Sequence, residues 1–127
     1  MPVIEFPYSF HKGYLMPIIP VTILGHKIWA YVDSGATYSI FNAKEADRLG
    51  INPKDSKCRM IVVGDGSFIP VYFHNLLVHI ADISLKVPIG FSEKLGVGFN
   101  LLGRKGLFEH FKICFSDRKR KITLQIE

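Results

Sequence analysis

The sequence has only two cysteines, Cys58 and Cys114, far apart along the 127 residues. That is too few for a disulfide framework, and the expectation is two free core thiols in a reducing compartment. There is no C-x-x-C or H-E-x-x-H spacing, and the five histidines show no ligand pattern, so neither a metal nor a cofactor is expected. No run is long and apolar enough to span a bilayer. The first residues, Met1-Pro2-Val3-Ile4-Glu5, carry no basic region ahead of an apolar one. This argues against a secretory signal and for a cytoplasmic location, with no membrane partner. Gly96-Val97-Gly98 lacks the remainder of a G-x-G-x-x-G and reads as a turn, not a phosphate loop. Repeats, low-complexity tracts and linkers are absent, so residues 1–127 read as one domain.

What is present is globular: 48% hydrophobic and 21% charged residues, with a net charge of +5. Part of that charge is the run Arg118-Lys119-Arg120-Lys121. It lies between two strand-like segments with no interleaved aromatics, so it reads as a solvated hairpin turn and not a nucleic-acid surface. Trp29 and the ten phenylalanines read mainly as core, some of them lining a cleft. His74 and His79 read as strand-surface residues.

Strand signals dominate. Pro17–Thr22 and Lys27–Val32 form a hairpin about Leu24-Gly25-His26, and Tyr38–Phe41 is a further strand-like run. Asn42 is an N-cap with Glu45 in the capping-box position, Ala43, Ala46 and Leu49 have helical spacing, and Gly50 is the stop. Met60–Val63 and Phe68–Val71 flank Gly64-Asp65-Gly66-Ser67, a glycine-tipped hairpin expected to be mobile. Pro70 cannot donate to a ladder, so this hairpin has a free edge. Leu76–Ile80 and Ile83–Val87 form another hairpin, and Ser92–Gly98 is a loop. Leu107, Phe108 and Phe111 suggest a short helix, before strands at Lys112–Phe115 and Ile122–Ile126. The whole is mostly β with one or two short helices.

The chemically loaded segment is Asp33-Ser34-Gly35, directly after the apolar run Ile28–Val32. An acid there stands where the strand leaves the core, and a small hydroxyl residue and a glycine let the backbone turn tightly around the carboxylate. Alone, such a triplet also fits a turn-capping aspartate. An amide resists water, but two carboxylates about one water activate it without a covalent intermediate. One accepts the water's proton and the other, protonated, polarises the carbonyl. The chain has one such triplet; Asp47, Asp55, Asp65, Asp82 and Asp117 are not followed by Ser-Gly or Thr-Gly. A second copy across a two-fold axis supplies the missing acid.

Three segments carry a resemblance to the retropepsin-type aspartic proteases, the single-domain dimeric relatives of pepsin. Tyr31–Thr37 resembles the catalytic loop, Val63–Val71 the flap, and Asn100-Leu101-Leu102-Gly103-Arg104 the hydrophobic-hydrophobic-Gly segment beside that loop. The resemblance covers about Met16 to Gln125. It implies a retropepsin-like closed β-barrel and a homodimer that cleaves polypeptides with Asp33 as the catalytic acid. Ser34 would brace the pair through its hydroxyl, and Gly35 would let backbone approach the water. Ala36, Thr37, Gly64, Asp65, Gly66 and Ser67 would contact substrate, and Leu101, Leu102, Gly103 and Arg104 would support the loop. Viral members often carry an acid where this chain has Thr37, which leaves the partner of Arg104 open. Members also knit their termini into an intersubunit sheet, so Val3–Phe10 and the last strand, Ile122–Ile126, join such a sheet, or else Met1–Phe10, with Pro2 and Pro7, is partly disordered. The alternative function is a weak or inactive protease-fold module that binds peptides or mediates dimerisation.

Overall fold

The computed structural model describes residues 2–127. Strand β4 (Ile18–Ile23) turns into β5 (His26–Val32) through Leu24 and Gly25, both at positive φ (49° and 80°). Two successive left-handed residues match the twist of paired strands, so the loop is only two residues long. Along β5 the period of two sends Ile28, Ala30 and Val32 inward. Trp29 falls on the opposite face and is 48% exposed, not core as expected.

β6 (Ser39–Asn42) leads directly into α1 (Ala43–Leu49), which Gly50 ends at φ 71°. Asn42 caps the helix by accepting the Lys44 N–H, but the reciprocal half of the expected capping box does not form. The Asn42 N–H donates instead to Asn100 Oδ1, and the Glu45 carboxylate accepts from Asn100 Nδ2 and pairs with Arg48. A single 3₁₀ turn, Pro53–Asp55, precedes the hairpin of β7 (Cys58–Val62) and β8 (Phe68–Ile80). β8 continues as a long antiparallel pair with β9 (Ile83–Ser92), turning at Ala81-Asp82. β10 (Asn100–Leu102) follows.

These strands run in the order β4-β5-β10-β6-β9-β8-β7, and β4 also pairs with β8. That last pairing closes the sheet into a ring with β7 outside it, the barrel expected from the sequence. The main core fills the ring with Phe41, Phe91, Ile19, Ile28, Ile89 and Leu102 among others. A second cluster of Ile40, Ile69 and Val71 lies under the β7–β8 hairpin. Pro70 lies beyond the β8–β9 ladder, as its missing N–H requires, and its carbonyl accepts the Ser92 hydroxyl.

The chain ends form a separate sheet, β1 (Val3–Pro7), β12 (Lys121–Ile126) and β11 (Phe111–Ser116), in the order β1-β12-β11. The partly disordered reading of Met1–Phe10 therefore gives way to strands at Val3–Pro7 and Ser9–His11, while Met1 lies outside the described residues. β1 pairs with β12 of its own chain, and β2 (Ser9–His11) pairs with β3 (Tyr14–Met16). The basic run forms the tip of the β11–β12 hairpin, with Arg120 at φ 55° and Lys121 opening β12 beside Glu5. The expected helix about Leu107–Phe111 is instead a set of turns: the Phe108 and Glu109 N–H groups bond back five residues to Gly103 and Arg104, the His110 N–H bonds back three to Leu107, and Phe111 already belongs to β11. Both cysteines are unpaired but exposed, contrary to the core placement expected; Cys114 lies on the edge strand β11.

Candidate functional site

β10 decides the local geometry. It lies parallel to β5, with Leu102 opposite Val32, and antiparallel to β6, with Leu101 opposite Ile40. The segment 33–38 leaves β5 and must pass around β10 to reach β6. Four backbone bonds hold this crossing. Asp33 N–H donates to Leu102 O (2.9 Å), Arg104 N–H to Ala36 O (2.8 Å), Lys105 N–H to Thr37 O (2.8 Å), and Ala36 N–H back to Asp33 O (3.2 Å). Within the turn, Gly35 N–H donates to Asp33 Oδ1 at 2.9 Å. A Cβ on Gly35 would sit 3.2 Å from the same oxygen, so glycine gives the carboxylate its room. Asp33 is partly exposed, and Ser34, Gly35 and Thr37 are exposed.

Two residues that sequence reasoning gave no role complete the support. Ser39 is fully buried, donates its hydroxyl to Lys105 O (2.8 Å) and accepts the Gly103 N–H (3.0 Å). Its signal was a lone hydroxyl within Tyr38-Ser39-Ile40-Phe41, since a buried polar group needs partners. Asn100 bonds Trp29 O (3.0 Å), Glu45 Oε2 (2.7 Å) and the Asn42 N–H (2.8 Å), tying β5, α1 and β6 to β10. No local pattern announces that role.

A cavity of about 530 Å³ adjoins Asp33 and Ser34, with Tyr8, Tyr31, Asp117 and Arg120 in its wall. Tyr8 donates its hydroxyl to Asp117 Oδ1 (2.8 Å), and burial together with that bond pushes its phenol up to about 12. Burial and then the negative charges of Asp33 and Asp117 also raise the Tyr31 phenol. Tyr31 stacks on Phe99 at 4.8 Å. A larger cavity, about 760 Å³, lies at the start of α1 and shares no residue with this one.

The β7–β8 tip is braced from within. Ser67 N–H and Oγ both donate to Asp65 Oδ1, which lowers the Asp65 carboxyl, and Gly66 turns at φ 85°. Thus the structure joins residues 33–37 to 101–104, while none of Gly64, Asp65, Gly66 or Ser67 lines the cavity beside Asp33. The Arg104 side chain is exposed and makes no ion pair among the described residues. Among those residues, no group of three or more His, Cys, Asp or Glu is placed to hold a metal. No helix among them is long and apolar enough to cross a membrane.

A family model described as aspartyl protease matches residues 19–104, which include all of β4 but its first residue, the Asp33 turn, the β7–β8 hairpin and β10. The chain belongs to the aspartyl protease family. Solved structures place this family member's fold among the retropepsins. A retropepsin-like aspartic protease from Rickettsia conorii superposes with a TM-score of 0.72 at 20% identity, over 97% of this chain and 91% of that one. The retroviral protease-like domain of Ddi1 from Leishmania major gives 0.61 at 22% identity, over 88% and 94%. EIAV protease, solved with the inhibitor HBY-793, gives 0.57 at 15% identity, over 76% and 88%. No curated protein matches the sequence.

Proposed function

We propose that this aspartyl protease family member is a homodimeric endopeptidase in which Asp33 of two copies meets at a two-fold axis. The observation that carries the reading is the pair of bonds on Asp33. Its N–H is fixed by Leu102 O, and its carboxylate is turned by the Gly35 N–H at the open end of β5. Like charges in contact cannot both ionise cheaply, so such a pair holds one proton. The ionised acid takes a proton from water as the oxygen adds to the scissile carbon, and the protonated acid donates to the carbonyl oxygen. Transfer of a proton to the amide nitrogen then lets the C–N bond break, releasing acid and amine with no covalent enzyme intermediate. Ser34 braces the pair across the axis, and Ala36 and Thr37 contact the peptide. The β7–β8 hairpin, with Gly64, Asp65, Gly66 and Ser67 at its tip, acts as a flap. It excludes water and presents backbone groups to an extended substrate. Leu101, Leu102, Gly103 and Arg104 hold the loop from behind.

The test is Asp33→Asn. Asparagine keeps an oxygen for the Gly35 N–H, so the fold and the dimer should persist while cleavage of an unfolded protein disappears. Particle mass by light scattering, read beside cleavage, separates loss of pairing from loss of chemistry; cleavage by the variant at wild-type rate sinks the proposal. The second reading, a peptide-binding module without turnover, draws on the exposed Arg104 without an ion pair beside the loop. It predicts retained peptide binding with no cleavage by the wild-type protein between pH 3 and pH 8 (roughly the span of carboxylate and neutral chemistry).

A further inference from the structure

Strand β7 lies outside the closed ring, paired with β8 alone, yet one of its side chains ties it to the segment beside Asp33. Arg59 lies on β7 opposite Val71. Its guanidinium carbon sits 5.2 Å from the ring centre of Tyr38 and 5.1 Å from that of Phe73, and Nη2 donates to the Tyr38 hydroxyl at 3.1 Å. The two rings are themselves 5.2 Å apart. The three groups therefore form a triangle of nearly equal sides, with the cation facing both aromatic faces. Arginine suits this position because its plane stacks while its edge still donates.

Tyr38 is placed to carry the link inward. It ends the segment that starts at Asp33, bridges to Lys105, and packs its ring with Phe73 against the Ile40, Ile69 and Val71 cluster. On the β8 arm the Pro70 carbonyl is also held, accepting the Ser92 hydroxyl at 2.7 Å, so Arg59 is the directed tie of the β7 arm; the remaining contact runs through the apolar side chains of that cluster, which slide more readily than a directed bond.

We propose that Arg59 is a positioning residue, a latch that holds the base of the β7–β8 hairpin to Tyr38 and so sets how far the hairpin opens. The kinetic consequence rests on the protease reading; the structural consequence does not. With the latch removed, the hairpin samples open positions more often, so a peptide binds less tightly while the reacting groups stay in place.

Amide hydrogen exchange of the protein without substrate tests the latch directly. In Arg59→Ala, exchange at Val63 and Gly66, whose N–H groups are bonded within the tip, should quicken about two- to fivefold, as expected for a cation held over aromatic rings. The Asp33 N–H, bonded to Leu102, should stay at its wild-type rate. Arg59→Lys keeps the cation but loses the planar fork and should restore part of the protection. It also serves if the alanine variant does not fold, since it should then still exchange faster than wild type at the tip. With a peptide substrate, Arg59→Ala should raise KM about two- to fivefold with kcat little changed, the pattern of lost uniform binding. Unchanged exchange at the tip, or equal quickening at the Asp33 amide, overturns the latch. Absence of any hydrolysis by the wild-type protein removes the protease reading and leaves the exchange result to decide the latch.

Discussion

Gly103 and the carbonyl of Tyr38 are packed so closely that a Cβ on residue 103 would lie 2.5 Å from that oxygen, and 2.6 Å from the carbonyl oxygen of Ala36. Both obstacles are backbone, so neither can swing aside. The crossing of residues 100–105 behind the Asp33 turn therefore requires glycine at this place.

Gly103→Ala is expected to destabilise the fold by about 1–3 kcal/mol, the range for forcing an extra carbon into a filled space. Gly64→Ala is the control, because a Cβ there meets nothing within 4 Å; its stability should change by less than about 0.5 kcal/mol. Urea unfolding of the two variants side by side checks the contrast. Equal stabilities would mean that the crossing relaxes freely.

Ser39→Ala removes the acceptor of the Gly103 N–H and the donor to Lys105 O in a place without solvent. The expected loss is about 1–3 kcal/mol, the cost of leaving buried groups unpaired. Ser39→Thr keeps the hydroxyl and should lose less of the buried bonding but meet crowding. Chemical denaturation midpoints at constant m-value decide the matter; an alanine variant as stable as wild type would mean water replaces the hydroxyl.

Tyr8 gives a pH prediction. Its phenol rises from an ordinary 10.0 to about 12 in the folded protein, first through burial and then through Asp117. The folded state thus favours the protonated phenol. This contribution is present in full below pH 10 and fades as the pH climbs through about 12. The side chain is 8% exposed, but it lines the open cavity beside Asp33, so solvent screens part of the effect. Tyr8→Phe should therefore flatten the alkaline fall in stability. Urea midpoints at mildly and strongly alkaline pH, compared with wild type, measure it; parallel falls in both proteins would contradict the assignment.

Asn100→Leu keeps the branched shape and the number of heavy atoms, though it is bulkier, and has no polar atoms. It frees the Trp29 carbonyl and the Asn42 N–H and leaves Glu45 facing Leu at a place where Asn100 is 7% exposed. A loss of roughly 2–4 kcal/mol is expected from several stranded partners. Calorimetric unfolding reads it, and a shift of under a degree in Tm would show that Asn100 is dispensable.

The hairpins were legible because their evidence is local: β-branched runs at period two, with Leu24-Gly25, Asp65-Gly66 and Ala81-Asp82 between them. The same periodicity should have turned Trp29 outward, since Ile28 and Ala30 claim the inner face; bulk prevailed over register in the reading. The crossing was legible as a motif but not as geometry. β10 has three residues, and its partners at Ala30 and Ile40 lie far away in sequence. Asn100 and Ser39 were opaque for that reason, as each satisfies groups no local window contains. The segment after Gly103 misled because Leu107, Phe108 and Phe111 mimic helical spacing. The backbone bonds of Phe108 to Gly103, Glu109 to Arg104 and His110 to Leu107 reveal turns there.

The pairing of Val3 with Gln125 leaves the start of β1 and the end of β12 about 5 Å apart, one strand spacing. A linker of a few residues can splice them, and fresh ends cut at Arg118-Lys119 would open only an exposed turn. Every ladder in such a permuted molecule would survive, and the order of synthesis would change while the architecture did not.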